Sequence, residues 1–79
     1  MKVQLLVTKT DFSVPNIERE FIHLGIGYKV DYIEDHPELV QQYNIRHSPN
    51  ILIDGKLAFR HHPSETELKA YFHDQKIRH

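Results

Sequence analysis

The chain has 79 residues, of which 39% are hydrophobic and 27% are charged, and its formal net charge is −1. A chain of this length forms one domain, near the lower limit of what a single hydrophobic core can stabilise. The near-neutral charge argues against electrostatic capture of nucleic acid or of an anionic membrane. The chain contains no cysteine, which excludes disulfides, thiolate metal ligands and thiol catalysis by this chain.

The sequence also carries no signal for a membrane or for export. No apolar run approaches the ~20 residues that a membrane-spanning helix needs. The opening residues, MKVQLLVTKTD, hold too short an apolar stretch for a signal peptide and are typical of a first strand. We therefore expect a cytoplasmic protein.

The first 33 residues predict a strand, a helix and a second strand. KVQLLV (2–7) alternates apolar residues with Leu6 on the opposite face, which indicates a central strand covered on both sides. The turn that follows opens a helix, where Ser13 is a candidate cap and Pro15 suits the first helical turn. YKVDYI (28–33) alternates as a second strand. A strand, helix and strand this close together predict parallel pairing.

The second half predicts a short helix, a hairpin and a closing helix. EDHPELVQQYNI places Pro37 at a helix start. Glu34-Asp35 before it is typical of a solvated loop with a cap at this helix rather than of a catalytic pair. Asp54-Gly55 lies between two apolar runs and predicts an antiparallel hairpin with strands at about 50–53 and 56–60. The stretch SETE, which begins at Ser64, is a capping box that opens the last helix.

The predicted order of elements is therefore β-α-β-α-β-β-α, in one α/β domain over residues 1–73. This order favours a four-stranded mixed sheet with helices on both faces. Residues 74–79 are polar, and we predict that they form a frayed C-terminal tail.

Seven histidines raise the question of a metal site. They are His23, His36, His47, His61, His62, His73 and His79. A metal site needs three or four donors that converge on one point. The adjacent His61 and His62, placed on a strand, would point to opposite faces, and the others are scattered. We predict no metal site, and His47 remains a candidate titrating contact.

Four features, in this order along nearly the whole chain, carry a family resemblance. They are the β-α-β-α-β-β-α order, TKTD at the end of the first strand, Ser48-Pro49 just before an apolar strand, and ILIDGKL followed by Pro63 and a capped helix. With these features the sequence resembles the thioredoxin/glutaredoxin superfamily. The resemblance implies a thioredoxin-like fold with a cis-proline at Pro49, and a family role in thiol–disulfide exchange and cell redox homeostasis.

The chain departs from this family at the redox motif. One alignment places Ser13 and Asn16 at the two cysteine positions, and another places Phe12 and Pro15 there; neither supplies a thiol. Thiol–disulfide exchange needs a thiolate that forms a mixed disulfide, and a serine hydroxyl cannot replace it. We therefore predict a redox-inactive protein that is not an enzyme and has no cofactor.

The resemblance implies that the ligand-binding part of the family site is retained. In the family, backbone groups of the residue before the cis-proline, here Ser48, pair with an extended peptide or glutathione. The helix N-terminus could accept an anion, and Phe12 could be either a contact residue or an apolar plug. Family members that bind glutathione carry a glycine pair before the last helix, and the absence of this pair here argues against glutathione specificity. The candidate ligand-binding residues are Phe12, Ser13, Pro15, Asn16, His47, Ser48 and Pro49.

The sequence thus predicts a small binding or adaptor module that uses the groove between the 11–16 turn and Ser48-Pro49. Its partner is a protein, a peptide or a small thiol ligand. One alternative is a glutathione-binding module that assists an enzyme. Another is a structural or homo-oligomerising domain, because a small domain without crosslinks gains stability from self-association.

Overall fold

Four strands and three α-helices follow one another in the predicted order. The structure, a computed structural model, describes residues 1–77, and describes side chains up to residue 73. The elements are β1 (Val3–Val7), α1 (Val14–His23), β2 (Lys29–Tyr32), a 3-10 turn (Ile33–Asp35), α2 (Pro37–Tyr43), β3 (Asn50–Ile53), β4 (Lys56–Phe59) and α3 (Glu65–Ile77). The 3-10 turn between β2 and α2 is the one element that the sequence pattern did not indicate.

The strands form one mixed sheet in the order β2-β1-β3-β4. β1 pairs with β2 in parallel and with β3 antiparallel, and β3 pairs with β4 antiparallel. The β3–β4 connection is the predicted hairpin: Asp54 and Gly55 both have positive φ, at 52° and 80°. Two successive residues of this kind give a turn whose twist matches that of the flanking strands. The predicted four-stranded mixed sheet is confirmed.

Helices cover both faces of the sheet. On one face, buried side chains of β1 and β3 pack against Ile17 and Phe21 of α1 and against Leu68 of α3. On the other face, Leu6 and Leu52 pack with partly buried side chains of α2. This division follows from the alternation of side chains along a strand, which sends apolar neighbours on β1 and β3 to opposite faces.

The helix ends carry several of the start and stop signals that the sequence predicts. The Ser64 hydroxyl accepts the amide hydrogen of Glu67 at 3.1 Å, and the Glu67 carboxylate accepts that of Ser64 at 3.0 Å. The predicted capping box is therefore confirmed. Pro15 and Pro37 each lie in the first turn of their helix, and Asn44 ends α2 in the left-handed conformation with φ 53°.

The C-terminal end of the chain is described only in part. Helix α3 runs to Ile77, so it includes residues 74–77 of the predicted frayed tail over 74–79. Residues 78 and 79 lie outside the described residues. Within residues 1–77, none of the helices has the length and apolar character needed to span a membrane.

Candidate functional site

The turn between β1 and α1 is held against the segment before β3 by the side chain of Asp11. One carboxylate oxygen of Asp11, Oδ1, accepts hydrogen bonds from the amide and the hydroxyl of Ser13 at 2.9 and 2.6 Å. The other oxygen, Oδ2, accepts a hydrogen bond from the hydroxyl of Ser48, 37 residues further along the chain. We call this arrangement the Asp11–Ser48 clamp. It joins two segments that the sequence had only placed near one another.

The clamp changes the role assigned to Ser13. Ser13 stands at the N-cap position, but its side chain makes no capping hydrogen bond and its backbone is helical, with φ −79° and ψ −14°. The prediction that the Ser13 side chain caps α1 is therefore wrong. Its hydroxyl donates to the Asp11 carboxylate instead of accepting a hydrogen bond from the helix amides.

The electrostatics of Asp11 follow from these contacts. Partial burial acts to raise the pKa of Asp11, but the hydrogen bonds from Ser13 and Ser48 and the charge of His62 outweigh this effect, so that the pKa lies below its ordinary value. Donors directed at a carboxylate stabilise its ionised form. The clamp therefore holds a carboxylate anion at neutral pH.

Ser48 and Pro49 form the other side of the clamp. The Ser48–Pro49 peptide bond is cis, as the resemblance implied, and Pro49 is buried. The Ser48 hydroxyl also accepts the amide hydrogen of Thr8 at 3.0 Å. Within the described part of the chain, the backbone amide and carbonyl of Ser48 make no hydrogen bond. The side chain of Ser48 is thus fixed while its backbone groups stay available.

Asn50 is a structural residue of this site that sequence reasoning missed. Its side chain is 1% exposed, and its Nδ2 donates to the carbonyl of His47 at 2.6 Å and to that of Leu6 at 3.4 Å. Asn50 therefore fixes the segment before the cis bond from beneath. The available signal was an amide at the start of the otherwise apolar run NILI, where burial requires that it find partners.

A second contact outside the candidate set fixes the turn from the side of the 3-10 helix. The carboxylate of Glu34 accepts the amide hydrogen of Lys9 at 3.0 and 3.2 Å. The Lys9 ammonium lies 3.4 Å from Asp35 and 5.9 Å from the centre of the Tyr32 ring. The sequence interpretation placed Glu34 and Asp35 in a solvated loop that caps the second helix. In the structure no side chain caps α2, and both carboxylates contact the turn instead.

Phe12 lies at the outer surface of the turn, next to Asp11. Its side chain is 92% exposed, which excludes the interpretation of Phe12 as a plug in the interior. Pro15 and Asn16 are exposed on the first turn of α1, and the Asn16 side chain accepts a hydrogen bond from Arg19 at 3.1 Å. The His47 side chain is exposed. Of the candidate residues, the structure brings Ser13 and Ser48 together through Asp11.

Four of the six histidines that the structure describes contact carboxylates: His23, His36, His61 and His62. Strand β4 ends at Phe59, so His61 and His62 follow the strand rather than belonging to it. His61 contacts Glu67 at 3.4 Å and His62 contacts Glu20 at 3.2 Å. Among the residues that the structure describes, no group of three possible ligands is placed to hold a metal ion.

The contacts of His36 alter its titration. Its Nδ1 lies 2.9 Å from Glu38, and its Nε2 lies 3.4 Å from the buried Asp31, which also accepts a hydrogen bond from Gln4 at 2.6 Å. The hydrogen bond to Glu38 raises the pKa of His36 above its ordinary value, partial desolvation opposes this, and the charge of Asp31 raises it further. The imidazolium therefore links β2 to the start of α2.

This arrangement predicts that the contribution of His36 to the free energy of unfolding falls as pH rises near neutrality. Because the folded-state pKa of His36 is raised, its contribution is fully present below the unfolded pKa and is lost as pH rises through the folded pKa. We expect the urea midpoint of the wild type to exceed that of His36→Asn most at about pH 5.5, and this difference to shrink by about pH 8.5. His73→Asn, a change of an exposed histidine, serves as the control. A difference that grew with pH would contradict the assignment.

Comparison with known proteins adds no relative from which a role could be transferred. No protein-family model, no curated protein and no solved structure matches this chain. The functional interpretation therefore rests on the contacts of the Asp11–Ser48 clamp and its surroundings.

Proposed function

We propose that this chain is a thioredoxin-like, redox-inactive binding module that takes an extended peptide segment along Ser48, with Phe12 as the apolar contact. The observation that carries the proposal is the state of Ser48. Its hydroxyl is held by Asp11 and Thr8, while its amide and carbonyl have no partner in the described residues. An extended chain recognises such a pair of backbone groups by adding hydrogen bonds of the β type.

The proposed contact surface is preorganised. Asp11 and Glu34 hold the turn, and Asn50 holds the segment before the cis bond. Because the hydrogen bond between Asp11 and Ser48 joins the two segments, the peptide lies over them rather than in a cleft between them. Groups that are already fixed lose little conformational entropy on binding, which favours affinity on a small surface.

Phe12 provides the apolar part of this surface. A single exposed aromatic residue is ordinary on a protein surface, but this one directly follows the clamped Asp11. Its ring therefore stands on a fixed turn, one residue from the carboxylate that holds Ser48. Aromatic side chains contribute large contact area in interfaces at low cost in rotamer entropy.

The module has no thiol–disulfide exchange activity of its own in this proposal. The chain contains no cysteine, and the residues at the turn offer a hydroxyl that already donates to Asp11. An oxygen in this position forms no mixed disulfide. Reduction of insulin or of glutathione disulfide should accordingly proceed no faster with the protein than without it.

The binding proposal predicts that replacing two exposed apolar residues, Phe12 and Ile22, has different effects on peptide binding. We expect a tryptic digest of a denatured protein to shift the amide resonances of residues 8–13 and 46–50 in a ¹⁵N-labelled sample. Phe12→Ala should weaken this binding by about tenfold, the size of an interface contact of roughly 1–2 kcal/mol. Ile22→Ala removes another exposed side chain, on α1 and 70% exposed, and should leave binding unchanged.

Two outcomes would contradict the proposal. One is the absence of saturable shifts at residues 8–13 and 46–50 with the digest, and the other is an equal loss of binding in Phe12→Ala and Ile22→Ala. Reduced glutathione, titrated in parallel, tests the alternative ligand. Shifts with glutathione alone, without shifts from peptides, would favour a small thiol ligand over a peptide.

A further inference from the structure

A groove lies at the end of the sheet opposite the Asp11–Ser48 clamp. It runs between the start of β1, the loop after α1 and residues 69–73 of α3, and its volume is about 460 Å³. Small-molecule sites commonly have volumes of about 300–1,000 Å³. Neither Phe12 nor Ser48 belongs to it, so it is separate from the proposed peptide surface.

The walls of the groove are mainly apolar. Val3 of β1 and the side chains of Leu24, Ile26 and Phe72 line it. These four residues also belong to, or pack against, the larger hydrophobic cluster of the protein. The groove is therefore an open extension of the core, in which an apolar chain would leave water for contacts with core side chains.

Glycines keep the mouth of the groove open. Gly25 and Gly27 both line it, and a Cβ atom built on either residue meets no atom within 4 Å. Gly25 has φ +70°, a conformation that a side chain would strain, and it ends α1 there. Gly27 has no such positive φ, so a larger residue at this position would occupy the open space without backbone strain.

The groove has a cationic edge, formed by Lys69. His73 stands four residues further along α3 and so on the same side of the helix. None of the described residues that line the groove is acidic. In the described part of the chain Lys69 forms no ion pair, while the nearby Glu65 is bound to His23 instead. An apolar floor beside a cationic edge is complementary to a molecule with an apolar chain and one anionic end.

We propose that this groove binds a small amphipathic carboxylate, with its hydrocarbon chain against Ile26 and Phe72 and its carboxylate beside Lys69. The apolar chain supplies most of the affinity, because the ion pair at the groove edge is exposed and correspondingly weak. The carboxylate sets the orientation and the preference for an anion. This site is independent of the peptide surface and does not require the proposed function.

Titrations of the ¹⁵N-labelled protein with octanoate and its relatives test this proposal. Octanoate should give saturable shifts at residues 24–27 and 69–73, and none at 8–13. Hexanoate should bind about fifteenfold more weakly, since each buried methylene contributes roughly a factor of four. Octanol, with the same chain and no charge, should bind about threefold more weakly than octanoate, and octylammonium more weakly still.

Variants separate the apolar and electrostatic contributions. Lys69→Gln should weaken octanoate about threefold and leave octanol unchanged, whereas Lys56→Gln, an exposed lysine on β4, should change neither. Gly27→Phe should abolish binding of both while the far-ultraviolet circular dichroism stays that of the wild type. Lys69→Gln keeps the test decisive if Gly27→Phe fails to fold.

Three results would overturn the proposal. The first is octanol binding as tightly as octanoate, and the second is equal behaviour of Lys69→Gln and Lys56→Gln. The third is an absence of saturable octanoate binding at millimolar concentration. If Gly27→Phe then also changes the elution volume on size-exclusion chromatography, a second copy of the chain covers the groove.

Discussion

Asp11→Ala should lower the free energy of unfolding by about 2–3 kcal/mol, which is a large share of the stability of a domain this small. The substitution removes the acceptor of three hydrogen bonds, two from Ser13 and one from Ser48. Two of these cross only a turn, but the third joins segments 37 residues apart. Hydrogen bonds to an ionised group contribute more than neutral ones, and the partly buried Ser48 hydroxyl is left without its acceptor.

Urea denaturation of Asp11→Ala beside Asp35→Ala measures this effect. Asp35 is also an acidic residue near the turn, but its one ion pair, with Lys9, is exposed. Such pairs contribute about 0–1 kcal/mol, so Asp35→Ala should change stability little. Equal losses in the two variants would mean that the Asp11–Ser48 clamp does not stabilise the fold.

The pH dependence gives a second measure of the clamp. The folded-state pKa of Asp11 lies below the ordinary value of 3.8. Its contribution is therefore present above that ordinary value and is lost as pH falls through the lower, folded-state pKa. Asp11→Asn should reduce the acid sensitivity of stability in this range, so the difference from wild type should narrow as the pH falls below about 4.

The local signals in the sequence were enough to predict the architecture. Asp54-Gly55 predicts its hairpin because few other residue pairs accept two positive φ angles. The box that begins at Ser64 predicts the start of α3 because both partners lie within one helical turn. The alternation around Leu6 predicts a sheet covered on both faces. Each of these inferences concerns residues that are neighbours in the chain.

Two contacts that organise the candidate site join residues that are far apart in the chain. Asp11 contacts Ser48 across 37 residues, and Glu34 contacts Lys9 across 25. Ser13 had the right residue type and position for a cap, yet a nearby carboxylate took its hydroxyl. Whether Ser13 donates to Asp11 or accepts from the helix amides depends on the geometry of the turn after the sheet has formed, which residue type and spacing alone do not specify.

Asn50→Ala should destabilise the protein by about 2–3 kcal/mol, because it removes the donor to the partly buried carbonyl of His47 and to the buried carbonyl of Leu6. The side chain of Asn50 is 1% exposed and its Nδ2 donates to that carbonyl at 2.6 Å. Asn16→Ala is the matched control, since Asn16 is exposed and its amide accepts only a surface hydrogen bond from Arg19. Urea midpoints that were the same in the two variants would contradict a structural role for Asn50.

Asn50 and Asp11 hold the segment around Ser48 from two directions. This arrangement predicts which substitutions change both stability and peptide binding, and which change binding alone. Both substitutions loosen that segment, so the double variant should lose less stability than the sum of the two single losses. Both should also weaken peptide binding at Ser48, because a mobile segment must be ordered on association. Phe12→Ala, which removes an exposed ring, should weaken binding while stability stays that of the wild type. If Asn50→Ala instead left peptide affinity intact, preorganisation of Ser48 would not contribute to peptide binding.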